Sequence, residues 1–143
     1  MDAVVRLATG AIVTPLRRIE SPKGDVYHGL KATEDTFRGF GEAYFSVVHA
    51  RVTKGWKRHN LMTLNLVVPV GIIEFQLRSD DGTVAESLQL GESRYARLSV
   101  PPGIWMAFTG VGEGLNLLLN IASIPHDPNE AVTLPLEHFP LRK

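Results

Sequence analysis

Lys54, Lys57, Arg58 and His59 stand within six positions of one another, beside Trp56 and just ahead of Thr63 and Asn65. No other stretch of the chain gathers as much chemistry. An imidazole with an unperturbed pKa near 6.5 can take a proton from carbon next to a carbonyl at neutral pH, so His59 is the first candidate base. Lys57 is the second, provided burial lowers its pKa by about three units. Lys54 and Arg58 suit an anionic group, which a guanidinium can grip with two parallel hydrogen bonds. On a regular strand Lys54 and Arg58 share one face and Lys57 takes the other.

These residues need a scaffold to hold them, and the periodicity supplies one. Met62 to Val68 alternates Met62, Leu64, Leu66 and Val68 against Thr63, Asn65 and Val67, which predicts a strand with Thr63 and Asn65 on the side toward which His59 also points. Ile72 to Arg78 alternates likewise and runs into Ser79-Asp80-Asp81-Gly82, a hairpin signal. Glu42 to His49 is aromatic and β-branched and predicts a strand at least half buried on both faces, with His49 packed at the barrel. Further short strands are predicted at 83–90, 94–100, 104–108 and 115–122, separated by Gly or Pro, a spacing that favours an all-β sandwich or barrel over alternating strands and helices.

The 143 residues suit a single domain. It divides into N-terminal strands and a loop over 1–41, a barrel core over 42–122 and a tail over 123–143. The tail carries four of the nine prolines and is expected to wrap the surface with one short helix. The loop at 29–41, with its glycines and polar centre, is expected to reach outward. Asn65, Asn116 and Asn120 are residue types depleted from strands, which points to a polar cavity wall. Trp56 and Trp105 each suit either a stacking contact with a ligand or the core.

Fifteen basic and 15 acidic residues cancel, so there is no general field to attract nucleic acid or an anionic membrane. No run approaches the roughly 20 apolar residues that span a bilayer, and the N-terminus does not read as a signal peptide. With no cysteine, neither disulfides nor a thiolate zinc site is available, and a reducing, cytoplasmic setting is expected.

Two motifs carry a family resemblance. The stretch GWKRHNLMTLNLVVPVG resembles the first cupin motif, with Lys57-Arg58-His59 in place of the paired histidines, and PPGIWM at 101–106 resembles the second, with Met106 in the histidine's place. A lysine ammonium has no lone pair to give and a thioether is a poor ligand for zinc or iron, so neither a metal nor another cofactor is expected. From about Lys23 to Pro128 the chain is similar to the dTDP-4-dehydrorhamnose 3,5-epimerase family, through GDVYHGLK, GEAYFSVV, RYARLSVPPGIW and LLLNIASIPHDP as well.

That resemblance implies a single-domain, all-β cupin-type jelly roll (a double-stranded β-helix), a homodimer with exchanged N-terminal strands, and a nucleotide-sugar substrate. The family's RGLHxQ motif places its catalytic histidine at Lys57 and its glutamine at His59, while the family's tyrosine acid falls near Asn120. Lys54 stands for the motif's arginine. Lys23 and His28 lie in the turn that closes the site in relatives, sometimes across a dimer. The expected catalytic residues are thus His59 and Lys57. The expected substrate contacts are Lys54, Arg58, Lys23, His28, Thr63, Asn65, Trp105 and Asn120. The expected function is an epimerase or isomerase acting on a 4-keto-deoxysugar nucleotide by proton transfer without a metal. The alternatives are a non-catalytic sugar-nucleotide or carbohydrate-binding cupin that has lost the histidine and tyrosine pair, and a metal-dependent cupin enzyme.

Overall fold

The computed structural model describes residues 3–141. In chain order the strands are β1 (Val5–Arg6), β2 (Ile12–Pro15), β3 (Arg18–Ile19), β4 (Val26–Tyr27), β5 (Glu42–Val47), β6 (Thr53–His59), β7 (Leu64–Val70), β8 (Ile72–Arg78), β9 (Ala85–Gly91), β10 (Ala96–Val100), β11 (Trp105–Gly110), β12 (Leu117–Ala122) and β13 (Ala131–Thr133). One sheet runs β1-β2-β10-β7-β12-β5 and faces a second running β13-β6-β11-β8-β9, while β3 and β4 form a separate exposed hairpin. The pairing between these strands is antiparallel. This is an all-β architecture of the kind that the spacing of short strands predicts, in the jelly-roll form that the family resemblance implies.

Alternation places Leu64, Leu66 and Val68 of β7, Leu98 and Val100 of β10, and Ile73, Phe75 and Leu77 of β8 in one continuous core between the sheets. A second apolar cluster lies on the outside of the smaller sheet, where Trp56 and Trp105 pack against Leu134, Leu136 and Phe139 of the tail. Trp56 is fully buried there, a contribution of roughly 2–3 kcal/mol for a side chain of this size. Its indole N–H donates to the Leu136 carbonyl at 3.2 Å. The tail is therefore a working layer of the fold, with β13 added to the β6 edge and one 3-10 turn at Leu136–His138.

Three expectations change. Glu42 to Val47 is an edge strand, so Ala43, Phe45 and Val47 of its outer face are exposed rather than buried, and His49 lies exposed beyond its end. The loop at 29–41 does not reach outward. The fully buried Arg97 of β10 binds the Glu34 carboxylate and donates to the Gly29 carbonyl at 2.7 Å, which holds the loop against the outside of the larger sheet. Finally, β6 is not a regular strand. Opposite β11, Lys57 pairs with Met106 and Lys54 with Phe108, so three steps on β6 match two on its partner. This bulge puts Lys54 and Lys57 on one face, where strict alternation predicts opposite faces.

Gly55 makes the bulge possible. Its φ is 145°, and a Cβ built there lies 2.5 Å from the Ala107 Cβ and 2.6 Å from the Ala107 Cα. Gly55→Ala should therefore destabilise the protein by about 2 kcal/mol or more, through both conformation and overlap. Urea unfolding would check this, and a midpoint equal to wild type would refute the close approach.

Candidate active site

A cavity of about 350 Å³ opens between the two sheets. Its wall on the β6 side carries Lys54, Lys57 and His59, and the facing wall carries Tyr44 and Ser46 of β5 with Leu118 and Asn120 of β12. Met62, Leu64, Val100, Ile104, Met106 and Phe108 make the rest largely apolar. A few polar groups converging on an apolar hollow is the usual build of a small-molecule site, and this one sits at the small end of the roughly 300–1,000 Å³ range.

His59 is held by a residue far away in sequence. Its Nδ1 lies 2.6 Å from Oε1 of Glu130, which is only 5% exposed. The other oxygen, Oε2, accepts the backbone N–H groups of Leu61 and Met62, both at 2.9 Å. Burial alone would raise the Glu130 pKa, but the His59 hydrogen bond, the two N–H groups and the charge attraction of His59 outweigh it and hold the pKa down at about 2. An ionised carboxylate only accepts, so the proton of this pair sits on Nδ1 and leaves the Nε2 lone pair free in the neutral ring. The carboxylate thus fixes both the tautomer and the angle of the imidazole, as an orienting acid does for a histidine base.

Across the cavity, Asn120 Nδ2 donates to the Tyr44 hydroxyl oxygen at 3.0 Å, the two residues being direct partners in the β5–β12 register. Burial, with the nearby charge of Glu42, pushes the Tyr44 pKa above its usual 10, so the phenol keeps its proton at neutral pH. The family tyrosine's expected place near Asn120 is therefore filled by asparagine, and a tyrosine stands beside it on the neighbouring strand.

The other expected site residues divide by face. Lys54, Lys57, His59 and Asn120 come together around the cavity. Lys57 is exposed at the rim, without the burial that a lysine base would require. Arg58 turns to the outside of the smaller sheet, where it pairs with Asp80 at 2.6 Å and lies 5.0 Å over the Trp105 ring. Neither Arg58 nor Trp105 reaches the cavity, because both lie on the strand face that packs under the tail. Asn65 points out of the larger sheet, donates to the Thr36 carbonyl and accepts from Ser99 Oγ, and Thr63 lines a separate groove with Arg6 and Arg38. Lys23 is exposed on the β3–β4 hairpin, and the His28 carbonyl accepts from Tyr95 outside the barrel.

Among the described residues no cluster of three or more His, Cys, Asp or Glu is placed to hold a metal ion. No helix of the described residues is long and apolar enough to cross a membrane. Glu130 is the functional candidate that the sequence reading passed over, while Tyr44, like Tyr95, is a candidate acid by residue type alone. Glu130 sits in the Pro-rich tail with no spacing that ties it to His59, and Tyr44 stands out only as a tyrosine on a strand.

No protein-family model matches this sequence, and no curated protein matches it either. Solved structures do. A dTDP sugar isomerase from Desulfovibrio desulfuricans G20 is 36% identical over 90% of this chain and 86% of its own, with a TM-score of 0.85. QdtA, a sugar 3,4-ketoisomerase from Thermoanaerobacterium thermosaccharolyticum solved in complex with TDP, is 18% identical over 88% of this chain and 89% of its own, with a TM-score of 0.76. The RmlC epimerase of Mycobacterium tuberculosis is 15% identical over 93% and 73%, with a TM-score of 0.80. The last two share the fold. The first also shares enough sequence to fix descent, and with it the chain belongs to the RmlC-like cupin family of dTDP-sugar isomerases and epimerases.

Proposed function

We propose that this protein isomerises a nucleotide-linked 4-keto-deoxysugar by moving a proton at the carbon next to the ketone, with His59 as the base. The observation that carries this reading is the His59–Glu130 pair at the wall of an apolar cavity. A dry wall strengthens the electrostatics of proton transfer, and Glu130 stabilises the imidazolium that forms. Lys54 and Lys57, brought to one face by the bulge, are placed to meet the negative diphosphate of the substrate. Reading this chain as a binding module that has lost its chemistry is less well supported, since an oriented base is present two positions from where the family motif puts it.

The test is incubation with dTDP-4-keto-6-deoxyglucose in deuterated buffer, followed by proton NMR. Deuterium beside the ketone, or a new keto isomer, is expected. A substrate that keeps every carbon-bound proton and its configuration would reject the reading.

The resemblance also implies a homodimer, and exposed Phe40, Phe45 and Val47, at 65%, 63% and 45%, support it as apolar surface at and beside the β5 edge. Sedimentation equilibrium should give twice the 15.7 kDa chain mass, and Phe45→Lys should shift it toward the single chain. A wild-type monomer at micromolar concentration would refute the dimer.

A further inference from the structure

The methionines among the described residues are Met62 and Met106, and both line the cavity that holds His59. Met106 of β11 stands opposite Lys57, and His59 is the next residue of β6 after Lys57 to face the cavity, so Met106 and His59 are diagonal neighbours on paired strands. Such neighbours lie roughly 7–8 Å apart, within reach of long side chains. Met62 follows His59 by three residues, and its backbone N–H is bound at 2.9 Å by the same Glu130 carboxylate that binds the His59 ring. The two methionines are 4% and 8% exposed.

Methionine often does no more than fill an irregular gap in a core. The histidine beside them sets this pair apart. Its Nδ1 is committed to a carboxylate and its Nε2 lone pair is free, the arrangement by which proteins orient an imidazole that ligates a metal. Thioethers with an imidazole make a soft donor set, poorly suited to zinc or iron and well matched to copper(I). Charge selects the same ion. The buried Glu130 carboxylate offsets one positive charge at His59, so a monovalent ion leaves the apolar pocket neutral, whereas a divalent one leaves a buried charge without a partner.

We propose that the Met62 and Met106 thioethers and His59 Nε2 form a copper(I) site in this cavity. The ion takes the lone pair that His59 would use for a proton, so copper binding and proton transfer exclude one another. The site stands apart from the isomerase reading, and the exclusion rests on it. No electron is transferred: copper(I) accepts three lone pairs and leaves as the same ion.

Anaerobic titration of the whole chain against the copper(I)–ferrozine complex tests the site. The protein is expected to withdraw one equivalent of copper(I). Silver(I), alike in charge and softness, should displace it, and zinc(II) should not. Met62→Leu and Met106→Leu change little volume, and each should weaken copper binding by about tenfold or more. Glu130→Gln, which loses the orienting charge, should weaken it by about tenfold to a hundredfold. X-ray absorption at the copper edge should show both sulfur and nitrogen neighbours.

Failure to take copper from the complex, displacement by zinc(II), an affinity unchanged in both leucine variants, or a shell of nitrogen and oxygen alone would overturn the site. His59 as base would then still stand or fall by the deuterium experiment. One equivalent of copper(I) should also stop deuterium incorporation, and added chelator should restore it. Copper held by these ligands while incorporation continues would overturn the exclusion and count against His59 as the base.

Discussion

His59→Asn is expected to lower proton transfer by between a hundredfold and ten-thousandfold, the usual worth of a positioned general base, while substrate affinity stays within a few fold. Asparagine is the informative choice because its amide N–H can still donate to the Glu130 carboxylate, as Nδ1 does, so the staple to the tail is kept and only the Nε2 lone pair is lost. Deuterium incorporation by NMR measures the rate, and a thermal melt checks that the fold is intact. A rate within threefold of wild type would remove His59 from the chemistry and move attention to Lys54 and Lys57, the other basic side chains that line the cavity.

The reason His59 rather than Lys57 carries this expectation lies in β6, and it also marks what a sequence can reveal. The all-β class was legible because Leu64, Leu66 and Val68 alternate as a half-buried strand must, and Ser79 to Gly82 turns as a hairpin must, while the jelly-roll form came only with the family resemblance. The polar cavity wall was legible in part, since Asn120 is costly inside a strand unless it has work to do. The bulge was not. It depends on Gly55 approaching Ala107 on β11, a contact between residues 52 positions apart, and without it Lys54 is assigned to the face of Arg58 instead of that of Lys57. Arg58 and Trp105 were misplaced for the same kind of reason. Their outward face looks exposed in a lone strand and becomes packed only when the Pro-rich tail folds back across it.

Glu130 is the most distant part of the site in sequence, and removing it should have the second largest effect. Its carboxylate binds His59 through one oxygen and two backbone N–H groups through the other, at the turn that joins β6 to β7. Glu130→Ala would leave both N–H groups without their acceptor and should cost about 2–4 kcal/mol. Glu130→Gln keeps a carbonyl for that turn but loses the charge, so kcat should fall about tenfold to a hundredfold from a disoriented and less stabilised imidazolium. The same variant exposes an acid-stability effect whose sign follows from linkage. The folded carboxyl titrates at about 2 and the unfolded one near 4.5, so between those values the unfolded state binds more protons. Stability from this group is therefore complete above about pH 5 and drains away as pH falls toward 2, by roughly 3 kcal/mol in all. Denaturant unfolding of wild type and Glu130→Gln across pH 6 to 2 should show the stability gap between them closing as the solution is acidified. A gap that stays constant across that range would mean that the charge on Glu130 does not hold the tail to β6.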